Sequence, residues 1–417
     1  MAGVSRGMRV LALTALVAAV PIVLGAARPD EGALPLVTVS LAAASLAAPS
    51  LAAPYAATPD TVWYITNRAQ RNDHWINRRA ELSYGFRTFD VTPVRRDAES
   101  IDAHLEVKPR FASRLAEPDF LEALKRSIRE AGPDAAVLLH VHGYATSINE
   151  ATEEAAEMKR RGGFRGPVVV FAWPANDIGV TWPTSKRFFT NAYWQDSVAA
   201  SASAPDLAQA VQTLVHELGA ERVVVSAHSM GSQLLAVVLR DNALSTRLRG
   251  SPLRGLAFVS PDVDREYFRD SVLPRAHAGA TRVTLYGARN DLLLKLSGTI
   301  HNGRPRAGLL ESGLRWPATV HVVDITDGRA AAFRLGAWAD THHALRREGS
   351  ALVDLFSIVV ARAPVACREA LGAIVVPSTN DIDAAQWRLT DAPLPLREGI
   401  QGGSSPLSSC PSAVSAP

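Results

Sequence analysis

Apolar residues along this chain come in two spacings. Short, nearly unbroken runs have the length and β-branched content of strands buried on both faces: Val62 to Thr66, Val137 to Val141, Val168 to Trp173, Arg222 to Ser226, Leu256 to Val259, Val283 to Tyr286 and Val320 to Ile325. Between them the apolar positions recur at helical spacing. Helices are predicted over 113–131, over 148–161, over about 192–218, and from Gly231 to about 243. The long one carries Leu207, Ala210, Val211, Leu214, Val215 and Leu218 on one stripe. Val62 to Thr66 and the Tyr84 to Val94 region read as an opening antiparallel hairpin. Strand runs alternating with helices predict a doubly wound, mostly parallel α/β sheet with helices on both faces, in one domain over about 60–390.

The ends of the chain lack this patterning. Arg6 and Arg9 precede an uncharged run from Val10 to Ala27, which closes on the small residues Gly25, Ala26 and Ala27. A basic start, an apolar stretch and a small-residue exit predict an export signal over 1–30. The run is also just long enough to cross a bilayer, so a membrane anchor through residues 10–27 is the alternative. Either way the protein is expected outside the cytoplasm, in the periplasm or medium. An Ala/Pro/Ser stretch repeats Ser-Leu-Ala-Ala from Ser40, Ser45 and Ser50, a period that fits neither helix nor strand, and it predicts a linker over 31–59. Residues 391–417 are rich in Pro, Ser and Gly and are expected to be a tail without a fold.

Composition narrows the function classes. The chain has 417 residues, 47% of them hydrophobic and 20% charged, which suits a sizeable core and argues against a disordered protein. Lys plus Arg number 44 against 41 for Asp plus Glu, and removing Arg6 and Arg9 with a leader takes the net charge from +3 to +1. That excess gives no reason to expect a nucleic-acid partner. The two cysteines, Cys367 and Cys410, exclude a four-cysteine zinc site and a disulfide framework, although one bridge between them is compatible with export.

The strongest chemical signal is Ser229. Val223 to Ala227 reads as a strand and Gly231 to Leu239 as a helix, so the serine falls on the tight turn between them. Such a turn forces the serine into a strained conformation and exposes its hydroxyl above the sheet. The residues two before and two after it must be small because strand and helix backbones approach there, and they are Ala227 and Gly231. A small-x-Ser-x-Gly string recurs easily by chance, so its weight comes from the strand–turn–helix context.

A nucleophile needs a base, an acid and oxyanion donors. Chain order in this fold runs serine, acid, histidine, which directs attention to the adjacent His342 and His343, with His342 preferred as base. Asp291, closing the Val283 strand, is the preferred acid, and Asp262, closing the strand before it, is the alternative. The backbone N–H groups of Tyr144 and Met230 are the expected oxyanion donors, Tyr144 from the loop after the Val137 strand and Met230 immediately after the serine. His140 and His142 share a strand face and could hold a metal, but no acidic or cysteine ligand stands at a matching spacing. No metal and no cofactor are expected. Trp173, Trp182, Phe188, Phe189, Tyr193 and Trp194 could line an acyl pocket, although core or lid packing is the commoner use of such residues, and 177–193 could form a lid.

Several strings together, Val141 to Glu150, Phe171-Ala-Trp-Pro174, Ala227-His-Ser-Met-Gly231 and Ser260-Pro-Asp262, resemble a bacterial family of uncharacterised α/β-hydrolases. The opening Tyr64-Ile-Thr-Asn-Arg68 is similar to the way such domains begin, and the similarity runs over about 62–357. This resemblance implies the α/β-hydrolase fold and a serine hydrolase triad and names no substrate. The expectation is an exported serine esterase or lipase-like enzyme acting on a small-molecule or lipid ester through an acyl-enzyme. An acyltransferase on the same triad and a catalytically silent binding scaffold are the alternatives. Oligomeric state is not legible.

Overall fold

Alternate side chains of each central strand enter two separate apolar cores. The computed structural model describes residues 60–94, 104–176, 186–241, 250–311, 315–326, 342–343, 349–363, 365, 367–368, 373–375 and 387–389. The expected leader, linker and tail lie outside these residues, as do Trp182 and Cys410. In Val137–Val141 (β4), Val137, Leu139 and Val141 face one core while Leu138 faces the other. The same alternation holds in Val168–Ala172 (β5) and Val223–His228 (β6). Strands apolar on both faces require helices on both faces, and these are present.

One core takes helices Glu117–Ala131 (α1), Ala204–Leu218 (α4) and Gly231–Arg240 (α5), through Phe120, Leu124, Leu207, Leu214, Leu234 and Leu235. The other takes Ile148–Arg161 (α2) and a helical stretch at 349–360, through Ile148, Ala151, Met158, Leu352 and Phe356. Helix α2 starts in a reciprocal cap, with the Ser147 hydroxyl accepting from Glu150 N–H and the Glu150 carboxylate accepting from Ser147 N–H.

Among the described residues the sheet has 11 strands in the order β10-β11-β9-β8-β7-β6-β4-β5-β1-β2-β3. The remaining strands are Thr61–Arg71 (β1), His74–Val94 (β2), His104–Leu115 (β3), Gly255–Val259 (β7), Val283–Gly287 (β8), His321–Asp324 (β9), Ala373–Val375 (β10) and Trp387–Leu389 (β11). From β1 through β11 in that order the neighbours are parallel, and β2, β3 and β10 pair antiparallel at the edges. This is the mostly parallel, doubly wound α/β-hydrolase architecture expected from the sequence.

The elements differ from the sequence reading in three places. The opening hairpin gains a third strand, β3, so α1 begins at Glu117 rather than 113. β3 is an edge strand with most of its side chains exposed, and it lacks the apolar alternation that marks a half-buried strand. The helix expected over 192–218 is two helices, Lys186–Ala202 (α3) and α4, because Pro205 has no N–H to donate and its ring opposes the preceding turn. β10 and β11 are only three residues each, too short for any periodicity. Cys367 is buried and disulfide-bonded. Among the described residues no helix is long and apolar enough to cross a membrane.

The junction of β6 with α5 fixes where the site lies. A Cβ on Gly231 would stand 2.5 Å from the His142 carbonyl oxygen and 2.7 Å from that of Val141. Both are backbone atoms of the neighbouring strand end and cannot turn aside. Gly231→Ala should therefore lower stability by about 1–3 kcal/mol through overpacking, read as a fall in the midpoint of denaturant unfolding. A wild-type midpoint would show that helix and strand are not in contact there.

Candidate active site

Three of the seven described non-glycine residues with positive φ follow the C-terminal ends of three adjacent strands. Ala145 follows β4, Ser229 follows β6 and Ser260 follows β7, and each is a non-glycine residue in the left-handed region, with φ of 49°, 51° and 42°. Each such residue costs about 1–3 kcal/mol and persists only where its surroundings over-determine it. At Ser229 the hold is visible. Its N–H donates to the Val259 carbonyl at 2.9 Å, and its carbonyl accepts from Asp262 N–H at 3.1 Å. The turn that the β6–α5 junction predicted is present, and it lifts the Ser229 side chain off the end of the sheet.

Ser229 Oγ lies 2.8 Å from His342 Nε2, and His342 Nδ1 lies 2.8 Å from Asp291 Oδ2. All three are buried, with 5%, 5% and 0% of their surface exposed. Asp291 caps Leu292–Ile300 (α6), its other oxygen accepting from Leu294 N–H at 2.9 Å. A carboxylate accepting at Nδ1 places the ring proton there and leaves Nε2 bare, facing the serine hydroxyl. Burial works against a charged His342. The negative charge and hydrogen bond of Asp291, with a further contribution from Asp262, outweigh it and raise the histidine above its ordinary 6.5.

Asp262, the alternative acid, is committed elsewhere. Its side chain accepts from Arg306 Nε, the Tyr193 hydroxyl and the Ser297 hydroxyl, each at 2.6 Å. Burial opposes its charge, but Arg306 and the hydroxyl donors hold the carboxyl below its usual range. The residue anchors a loop, joining α3, α6 and the 301–311 segment to the turn at Ser229. His343, the other candidate base, is partly exposed, its ring centroid 5.4 Å from that of His342.

The loop after β4 runs against the serine. A Cβ on Gly143 would stand 3.3 Å from Ser229 Cβ and 3.0 Å from His228 Nδ1, so only glycine lets the backbone pass without displacing either residue. Tyr144 follows Gly143 on this loop. Met230 stands at the start of α5, where helical N–H groups have no intrahelical partner. His140 and His142, the alternative metal pair, meet different partners. His140 Nδ1 meets the Ser226 hydroxyl at 2.8 Å, while His142 stacks on Trp173 at 5.1 Å. Burial pushes His140 down to about 4 and His142 to about 3, so both are neutral near pH 7. Among the described residues no group of three or more His, Cys, Asp or Glu is placed to hold a metal.

His228 was not singled out by sequence, although it directly precedes the serine. Its Nε2–H donates to the His342 carbonyl at 2.9 Å, tying the backbone of that histidine to the turn. Burial, then the charges of His342 and His343, hold His228 far below the ordinary histidine range. It is therefore a neutral donor. Of the aromatics weighed between an acyl pocket and core or lid packing, Trp173 and Tyr193 are buried, Tyr193 against Asp262, and Trp194 is 42% exposed. The side chains of Phe188 and Phe189 and the segment 177–185 lie outside the described residues.

A strained serine at a strand–helix turn, on the carboxyl edge of a mostly parallel sheet, defines an α/β-hydrolase. Residues 118–330, just over half of the chain, match the family described as alpha/beta hydrolase of unknown function (DUF900), and the chain belongs to that family. The match includes Tyr144, Ser229, Met230, Asp262 and Asp291 and ends before His342. No curated protein matches the chain. Among solved structures, an acetylxylan esterase is 11% identical, covering 54% of this chain and 98% of its own, with a TM-score of 0.31. The HSL-homolog EstE7 from a metagenome library is 12% identical over 66% of this chain and 86% of its own, with a TM-score of 0.32. A predicted CIB-like hydrolase from Thermoplasma acidophilum is 11% identical over 66% and 100%, with a TM-score of 0.29.

The two buried aspartates should separate in a melt. Asp262→Asn leaves Arg306, itself 4% exposed, without a counter-charge, and should cost about 3–5 kcal/mol. Asp291→Asn keeps the helix cap, since Asn caps as well as Asp, and should cost about 1 kcal/mol or less. Thermal unfolding of both variants checks this, and a lower melting point for Asp291→Asn than for Asp262→Asn would contradict it.

Proposed function

We propose that the protein is an exported serine hydrolase of the carboxylic-ester type, acting through an acyl-enzyme. The observation that carries this reading is the buried chain of two 2.8 Å contacts from Asp291 through His342 to Ser229, set on a left-handed turn. Ser229 Oγ attacks the ester carbonyl carbon while its proton passes to His342 Nε2. Asp291 keeps the ring in the productive tautomer and stabilises the imidazolium that forms. The carbonyl oxygen becomes an oxyanion and is held by the N–H groups of Met230 and Tyr144. Collapse expels the alcohol, which takes the proton from His342. Water then gives a proton to His342 and attacks the acyl group, releasing the acid and regenerating Ser229. Export is supported by the basic, apolar, small-residue sequence of residues 1–30.

Ser229→Ala should melt like the wild type and lose at least about 10³-fold in kcat on p-nitrophenyl acetate, since no other group can form the acyl-enzyme. His342→Ala should lose as much and the double variant little more, whereas His343→Ala should keep most of the activity. Near-wild-type turnover by a folded Ser229→Ala protein would place the nucleophile elsewhere.

The raised His342 gives a second test. The base must be neutral to accept a proton, so kcat/KM should rise with pH through a midpoint above 6.5. Removing the Asp291 charge leaves burial as the main influence and should move that midpoint downward in Asp291→Asn. An unchanged or higher midpoint in the variant would show that Asp291 does not act on the base.

A further inference from the structure

The opening string Tyr64-Ile-Thr-Asn-Arg68 has no part in the triad, yet its last residue reaches the site. Arg68 ends the buried part of β1 with only 2% of its surface exposed. Its Nη2 donates to the Thr146 carbonyl at 2.7 Å and its Nη1 to the Ala175 carbonyl at 3.1 Å. Thr66 fixes its backbone, the Thr66 hydroxyl accepting from Arg68 N–H at 3.1 Å and donating to the Ala172 carbonyl at 2.6 Å. Arg68 thus holds a carbonyl in each of two loops, the one after β4 and the one after β5.

Asp196, the only acid in α3, holds the same two loops by their N–H groups. It is 1% exposed. One carboxylate oxygen accepts from Ala145 N–H at 2.9 Å, and the other accepts from Asn176 N–H at 2.7 Å and from the Asn176 side chain at 2.6 Å. Burial raises the Asp196 carboxyl above its ordinary value, and the Ala145 and Asn176 donors and the Arg68 charge act against that rise. A cation takes the carbonyls of 146 and 175, and an anion takes the N–H groups of 145 and 176. Ala145 is also the residue on this loop whose φ of 49° needs an outside hold, and it adjoins Tyr144.

We propose that Arg68 and Asp196 are positioning residues that fix the loop carrying Tyr144 in the geometry that receives an oxyanion. The proposal rests on the serine-hydrolase reading above. Two buried charges from elements distant in sequence hold the loop at the peptide before the strained Ala145 and at the carbonyl of Thr146 just after it, next to the expected donor, whereas a loop needed only for packing could be held by apolar contacts. An oxyanion donor must be in place before the charge develops, and a displacement of about 1 Å can cost on the order of 10² in rate. Neither residue touches substrate. Their effect should therefore fall on stabilisation of the transition state and leave binding of the ground state and the basicity of His342 alone.

The test is Asp196→Asn in the full chain, assayed with p-nitrophenyl acetate beside wild type. An asparagine offers one acceptor where two loops each need one, and its NH₂ opposes a backbone N–H. We expect kcat to fall about 10–100-fold with KM within about threefold of wild type. Affinity for a small alkylboronic acid, whose tetrahedral serine adduct occupies the oxyanion site, should fall in parallel with kcat/KM. The pH midpoint should stay at the wild-type value. Arg68→Lys, which keeps the charge but loses the fork that spans two carbonyls, should move the same quantities the same way and serves if Asp196→Asn does not fold. A variant that melts lower but retains wild-type kcat and boronate affinity in its folded fraction would reduce the pair to a structural role and overturn the proposal. A wild-type protein that neither turns over ester nor reacts with a fluorophosphonate at Ser229 would instead remove the hydrolase reading, and this inference with it.

Discussion

Everything at this site depends on one left-handed residue. Ser229 can hold a φ of 51° because its N–H and its carbonyl are both committed, to the Val259 carbonyl and to Asp262 N–H. The second commitment makes the loop after β7 part of the support of Ser229. Gly231 then lets α5 descend onto the carbonyls of β4, and Gly143 lets the loop after β4 cross beside the serine. The two glycines of this chain are thus explained by close contact, Gly231 against backbone carbonyls and Gly143 against the side chains of His228 and Ser229. Hydrogen bonds fix the turn, and the absence of two Cβ atoms allows its neighbours to close on it.

The acidic residues around the turn are divided by their partners. Asp291 has one oxygen on a helix N-terminus and the other on His342, so it is held firmly while it favours the protonated ring. Asp262 faces Arg306 and two hydroxyls and acts as the anchor of a loop. Asp196 faces backbone N–H groups of two loops. All three are buried carboxylates near the carboxyl edge of one sheet. What separates them is the nature of the donors: an imidazole for Asp291, a guanidinium for Asp262, and main chain for Asp196. A buried charge is tolerable only with such partners, and here each set of partners assigns a different task.

Much of this was legible in the sequence because it rests on local pattern. Seven apolar runs marked strands of the sheet, and the β6–α5 turn marked Ser229 from its flanking Ala227 and Gly231. Chain order directed attention to Asp291 and His342, and the fold brings both within hydrogen-bond distance in series with the serine. Where periodicity was thin, the reading failed. The exposed edge strand β3 and the three-residue strands β10 and β11 left no pattern, and Pro205 divided a helix that its apolar stripe presented as continuous. Arg68 and Asp196 were invisible for a different reason. They lie 128 residues apart and act on main-chain atoms of other loops, so neither spacing nor residue type marks them as a pair. His228 could have been noticed from its place beside Ser229, but its bond to the His342 carbonyl depends on folding.

The central claim is that Ser229 is an activated nucleophile, raised on a strained turn and deprotonated by His342. The most direct measurement is to treat the full-length protein with a fluorophosphonate, digest it, and locate the adduct by mass spectrometry. The account predicts stoichiometric phosphonylation of the peptide containing Ala227-His-Ser-Met-Gly231, with the added mass on Ser229 and none there after prior denaturation. A folded protein left unmodified at Ser229, or modified on another serine while Ser229 stays bare, would contradict it.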